Sequence, residues 1–234
     1  MINRETLEKL IRESVDKNKK GRKEYFLFGR ILVSVKDDIL PAIDMLNIVA
    51  QIEKNMPEHL FDEVDDIFIG SFSENDDRAL EAHYADGAIY ITSDLSKDYD
   101  YVENIVHECA HAVEKQRGLD IYGDGKLENE FLGKRKRLAA RMHANNLSID
   151  DIDFENPEYS EKFDLFLYKD IGYEKLSSFT KGLFNSPYAA TCLREYFANG
   201  FEEYFLGDKY YIAKIGPNLY KKLDEIIEGE KIYV

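Results

Sequence analysis

The sequence predicts an α+β fold, and three observations carry that prediction. Segments rich in aromatic and β-branched residues end before residue 95. Amphipathic helical patterns fill most of the chain after it. Strands and helices are therefore segregated rather than alternating, which argues against a parallel α/β sheet. No internal repeat, low-complexity tract or linker interrupts the chain, so one domain is expected over 1–234. Its first part, 1–95, should carry helices and a small twisted sheet with an edge strand. Its second part, 96–234, should be mostly helical.

The elements follow in order. Leu7, Leu10, Ile11 and Val15 fall on one face of a helix over 4–16. The basic run 17–23 reads as a solvated loop, and 25–36 (YFLFGRILVSVK) as one strand. Residues 39–54 form an amphipathic helix that stops near Pro57. Strand 66–72 comes next, then a hairpin of 79–84 and 87–92 turning at Asp86-Gly87. A helix over 101–117, a Gly-rich turn at 121–126 and a helix over 127–146 follow. The KRKR run at 134–137 reads as a wet helix face. The acidic connection 148–158 offers oxygens from Asp150, Asp151, Asp153 and Glu155, but lacks the spacing and turn glycine of a calcium loop. Helices then fill 159–170, 172–181, 187–206 and 216–228.

Composition narrows the partners. Thirty-one Lys and Arg against 46 Asp and Glu leave a net charge of −15 and a pI near 4.8. Such a surface cannot replace phosphate counterions, so nucleic acid is not an expected partner. Anionic membranes are disfavoured for the same reason. Apolar residues make up 44% of the chain and aromatics 13%, enough for an ordered core. Cys109 and Cys192 are the only cysteines, which excludes a disulfide scaffold and suits a reducing compartment. The first residues, MINRETLEKLIRES, hold no apolar core of a signal peptide, and no stretch approaches the roughly 20 apolar residues of a membrane span. A cytoplasmic location is expected.

The chemistry is concentrated at His107-Glu108-Cys109-Ala110-His111, an H-E-x-x-H motif. Positions i and i+4 of a helix share a face, so both imidazoles aim at one point and can hold zinc. Glu108, one step round, reaches a water beside the metal and is placed as general base. Val102, Val106, Cys109 and Val113 form the apolar stripe on which this helix packs, and Cys109 should face the core. A sheet ahead of such a helix is the arrangement of zincin metallopeptidases. There GAIYIT, at 87–92, suits the exposed edge strand to which an extended peptide substrate adds.

A catalytic zinc needs a third protein ligand. The metzincin continuation is excluded, because Glu114 and Arg117 stand where it needs Gly and His. Glu130, His143 and Glu195 remain, at 19, 32 and 84 residues after His111, and spacing alone does not choose among them.

The stretch from Tyr188 to Phe201, YAATCLREYFANGF, resembles the C-terminal signature of the anthrax lethal factor metalloprotease family. The clostridial Pro-Pro endopeptidases share that pattern. With the H-E-x-x-H helix the resemblance covers roughly 95–206. It implies Glu195 as third zinc ligand and Tyr188 as the residue that stabilises the oxyanion. One departure stands out: the family often has an acidic residue four positions after the ligand, where this chain has Asn199. A helix starting at Pro187, capped by Ser186, would put Tyr188 and Glu195 on one face, since seven residues at about 100° each nearly complete two turns.

These readings converge on a zinc metalloendopeptidase, with His107, His111 and Glu195 as metal ligands, and Glu108 and Tyr188 as catalytic residues. Its partner would be a peptide or protein substrate. The alternative is a zincin-fold assembly or interaction protein whose zinc is structural or absent and which catalyses nothing.

Overall fold

The computed structural model describes residues 23–72 and 81–228. The helix expected at 4–16 and residues 17–22 of the basic loop lie outside the described residues. The protein is α+β, with a five-stranded mixed sheet in its N-terminal half and eight α-helices, mostly in its C-terminal half, among the described residues. It divides into two compact units, Met1–Cys109 and Ala110–Val234, whose boundary falls inside the motif helix.

In the first unit, the segment expected as one strand is a hairpin. Strands β1 (Lys23–Leu27) and β2 (Ile31–Val35) pair antiparallel across a turn in which Phe28 and Gly29 have φ of 52° and 68°. Two positive φ values in succession make the tight turn that matches strand twist. Phe28 is held in this uncommon conformation by its N–H, which donates to Glu53 Oε1 at 2.7 Å, and by its ring against Phe61. Helix α1 (Met45–Asn55) starts later than expected, because the Asp44 carboxylate caps it by accepting from the amides of Leu46 and Asn47. Strands β3 (Asp66–Ile69), β4 (Ala82–Ala85) and β5 (Ala88–Ile91) complete the sheet in the order β1-β2-β3-β5-β4. The β4–β5 hairpin turns at Asp86-Gly87 as expected, again with positive φ at both residues.

The edge assignment needs correction. β5, the GAIYIT strand, pairs parallel with β3 and antiparallel with β4, so it is interior. Its Ile89 and Ile91 are fully buried, and the tight turn carries β4 to the outside instead. Among the described residues β1 and β4 are the edge strands. Ile31, Val33, Val35, Ile67, Ile69, Ile89 and Ile91 form the buried side of the sheet. The burial of Met45, Ile48, Val49 and Ile52 on α1 follows the i, i+3, i+4, i+7 pattern of one helix face.

Helix α2 (Asp98–Tyr122) carries the motif and bends at Arg117, next to Gly118. The rest of the second unit is built on α3 (Lys126–Ala144), with α4 (Glu161–Leu165), a π-helical turn (Phe166–Ile171), α5 (Tyr173–Thr180), a 3₁₀ turn (Tyr188–Ala190), α6 (Leu193–Leu206), α7 (Lys209–Ile215) and α8 (Pro217–Glu228). The wet-face reading of 134–137 fails for half of the run. Lys136 and Arg137 are exposed, but Lys134 and Arg135 are buried. Lys134 Nζ donates to the carbonyls of Leu183 and Ile215, and burial lowers its pKa to about 8. The Arg135 guanidinium lies over the rings of Phe131 and Phe163 and donates to the carbonyls of Ala190, Asn156 and Thr191. Both cations are affordable inside because they satisfy carbonyls that no helix or strand partners. Gly200 on α6 lets α8 come close: a Cβ there would lie 2.2 Å from Leu219 Cδ2.

Candidate metal centre

The motif helix is anchored at its start. The Asp98 carboxylate accepts from the Asp44 amide at 2.9 Å and from Asn47 Nδ2 at 2.8 Å. Val102, Val106, Cys109 and Val113 are buried, as the apolar stripe predicts. Cys109 Sγ donates to the Leu60 carbonyl at 3.2 Å, and burial pushes its pKa up, so this thiol keeps its proton and lies outside the metal group.

His107 and His111 sit one turn apart on α2, and Glu195 lies on α6. One ligand atom from each of these three residues lies within 4.8 Å of the others. No other such group of His, Cys, Asp and Glu occurs among the described residues. His111 Nε2 is 3.6 Å from Glu195 Oε1. A tetrahedral zinc with bonds of about 2.0–2.1 Å spaces its ligands roughly 3.4 Å apart, close to the separation of His111 Nε2 and Glu195 Oε1.

Sequence reasoning used Glu114 only to exclude a metzincin, yet it is built into this centre. Its Oε2 lies 2.7 Å from His111 Nδ1. A carboxylate there accepts a hydrogen bond from Nδ1–H, which selects the tautomer whose unprotonated Nε2 is on the Glu195 side. Tyr122 donates its hydroxyl to Glu114 Oε1, and Arg194 Nε approaches Oε2 at 3.4 Å. Burial first, then the Glu114 charge, pushes the Tyr122 pKa up, so this phenol remains a donor. The signal was present: Glu114 lies three residues after His111, on the same helix face. Glu114→Ala is expected to weaken zinc binding by about 10–100-fold, the usual cost of losing such a supporting carboxylate. Competition against a chromogenic chelator measures it, and an unchanged affinity would remove Glu114 from the site.

Tyr188 and Glu195 do not share one helix. The element expected from Pro187 is a 3₁₀ turn that ends at Ala190, and Cys192 is extended at φ −157° and ψ 172° before α6 begins. Arg135 takes the Ala190 and Thr191 carbonyls that a continuous helix would have bonded internally. Tyr188 and Glu195 therefore share no helix face, but Tyr188 still feels the Glu195 charge. The phenol is half-buried, and its pKa is pushed up first by burial and next by the Glu195 charge. It stays protonated and able to donate. Ser186 caps the turn rather than a helix, its Oγ accepting from the Ala189 amide at 3.1 Å. Glu108 is 6% exposed.

The other candidate ligands are engaged elsewhere. Glu130 accepts from Tyr196 Oη at 2.8 Å and from the first amides of α8, Asn218 at 2.8 Å and Leu219 at 3.2 Å. It is a helix cap for another element. His143 is exposed at the C-terminal end of α3 and is not part of the convergent group. His83 lies on edge strand β4, stacked on Tyr90 with ring centroids 4.8 Å apart. In the acidic connection, Asp153 Oδ1 accepts from the amides of Glu155 and Asn156, an ordinary turn.

Compared with known proteins, the chain matches no family model, no curated protein and no solved structure. Among the described residues no helix is long and apolar enough to cross a membrane.

Proposed function

We propose that this protein is a zinc-dependent metallopeptidase of the zincin type, related in design to the lethal factor group. One observation carries the reading: His107 and His111, four residues apart, and Glu195, 84 residues after His111, bring their ligand atoms within 4.8 Å. The residue between the two histidines is Glu108, the type and position a general base requires. A protonated Tyr188 near Glu195 adds support.

Zinc, when bound, supplies a Lewis acid that acidifies water and polarises a carbonyl. His107 Nε2 or Nδ1, His111 Nε2 and a Glu195 carboxylate oxygen would hold it. Glu114 keeps the His111 imidazole in its ligating tautomer. Glu108 takes a proton from the attacking water onto a carboxylate oxygen, then passes it to the leaving amine nitrogen. Tyr188 Oη donates to the carbonyl oxygen as that atom gains charge.

The test uses the purified chain and a mixed peptide library read by mass spectrometry. Cleavage is expected with zinc, lost with 1,10-phenanthroline, and restored by about one equivalent of zinc. A zinc-loaded protein that cleaves nothing in the library would favour the assembly-protein reading.

A further inference from the structure

The residue that departs from the family pattern ties the metal-ligand helix to the turn bearing Tyr188. Asn199 is 6% exposed and lies one turn after Glu195 on α6. Both ends of its carboxamide are used. Nδ2 donates to the Glu195 carbonyl at 2.9 Å, and Oδ1 accepts from Ser186 Oγ at 2.5 Å. Its main-chain carbonyl accepts from Asn185 Nδ2 at 2.8 Å. Ser186 Oγ in turn accepts from the Ala189 amide, inside the turn that Tyr188 opens. A continuous run of hydrogen bonds thus joins the backbone of Glu195 to the backbone around Tyr188. It crosses the gap left by the extended residue Cys192.

We infer that Asn199 is a positioning residue for Tyr188, holding the phenol's turn in register with the metal-ligand helix; this rests on the peptidase reading above. The chemistry requires an amide. A carboxylate at this position could accept from Ser186, but it has no proton for the Glu195 carbonyl and would set two oxygens against each other. The acid common in the lethal factor group would therefore break this tie. Arg135 holds the downstream side, at Ala190 and Thr191. Asn199 holds the upstream side, at Asn185 and Ser186. Oxyanion donors work through placement, and a shift of about 1 Å can cost on the order of 10²-fold in rate.

The experiment compares wild type, Asn199→Ala, Asn199→Asp and Ser186→Ala. Amide hydrogen exchange over 185–191 is followed by mass spectrometry, and zinc affinity by chelator competition. kcat and KM are measured on a cleaved peptide, also in the Tyr188→Phe background. Exchange at Ala189 and Ala190 is expected to rise by about tenfold or more in all three variants. Zinc affinity should stay within about threefold, because no ligand or its supporting carboxylate changes. kcat should fall with little change in KM, and Asn199→Ala should add almost nothing to Tyr188→Phe. Unchanged exchange over 185–191, or a loss in the double variant equal to the product of the single losses, would overturn the inference. If wild type cleaves no peptide, the peptidase reading falls, while the exchange measurement still decides the tie. Should Asn199→Ala fail to fold, Asn199→Asp, which loses the donor to the Glu195 carbonyl but leaves the Ser186 bond to the Ala189 amide in place, decides it by the same readings.

Discussion

If the proposed zinc site is right, His111→Ala is expected to reduce zinc from about one ion per chain to almost none, because it removes one of the three proposed protein ligands. His111 is the residue on which the centre converges. Its Nε2 faces Glu195 Oε1 at 3.6 Å, and its Nδ1 is held by Glu114 at 2.7 Å. Alanine at this position also takes a partner from Glu114, which is 7% exposed. That carboxylate keeps Tyr122 and Arg194, so the fold should survive. Glu130→Ala is the informative contrast. It should keep the metal, but it frees two amides of α8 and the Tyr196 hydroxyl. Each buried polar group left unpaired costs about 1–3 kcal/mol, so its effect should appear in thermal stability. Elemental analysis of the purified variants, with melting curves beside it, separates the two. Zinc retained in His111→Ala, or lost in Glu130→Ala, would mean the ligands are misassigned.

The parts legible in the sequence were those governed by local periodicity. Two histidines at i and i+4, beside the buried stripe Val102, Val106, Cys109 and Val113, identified the motif helix and its face. Asp86-Gly87 announced its hairpin turn by residue type, whereas Phe28-Gly29 did not, because Phe28 enters positive φ only with help from Glu53, 25 residues away. The break before α6 was hidden for a related reason. Nothing in PYAATCLREYF between Pro187 and Phe197 is a helix breaker. What competes with helical bonding there is Arg135, which reaches the carbonyls of Ala190 and Thr191 from 55 and 56 residues away. The same arginine lay in a charge run that local rules place in solvent. Its burial depends on rings and carbonyls supplied by distant segments. At the candidate metal centre, residue types and spacing named the two histidines, whereas Glu195 was singled out from Glu130 and His143 only by the resemblance of the stretch from Tyr188 to Phe201. The support from Glu114 was legible only as an i, i+3 spacing, and the Asn199 tie only through a fold in which α6 and the Tyr188 turn are separate pieces.

Glu108→Gln should have the largest effect on rate of any change that leaves the metal in place. Glu108 lies next to His107 but is not one of the three residues whose ligand atoms converge. Glutamine has nearly the same shape and can stay hydrogen-bonded in a site where the native side chain is 6% exposed. Folding and zinc content should therefore match wild type. The amide oxygen cannot take up a proton at neutral pH, so the attacking water loses its base and the leaving amine loses its proton source. General base catalysis is worth about 10²–10⁴-fold, and kcat should fall by at least that much. KM should change little, because the lost interaction develops only as the proton moves. The residual rate should remain zinc-dependent, whereas His111→Ala should lose rate and metal together. Measuring kcat, KM and zinc content on one peptide for both variants distinguishes a lost base from a lost ligand. Equal cleavage by wild type and Glu108→Gln, with zinc present in both, would refute Glu108 as the base, and with it the mechanism built on the motif.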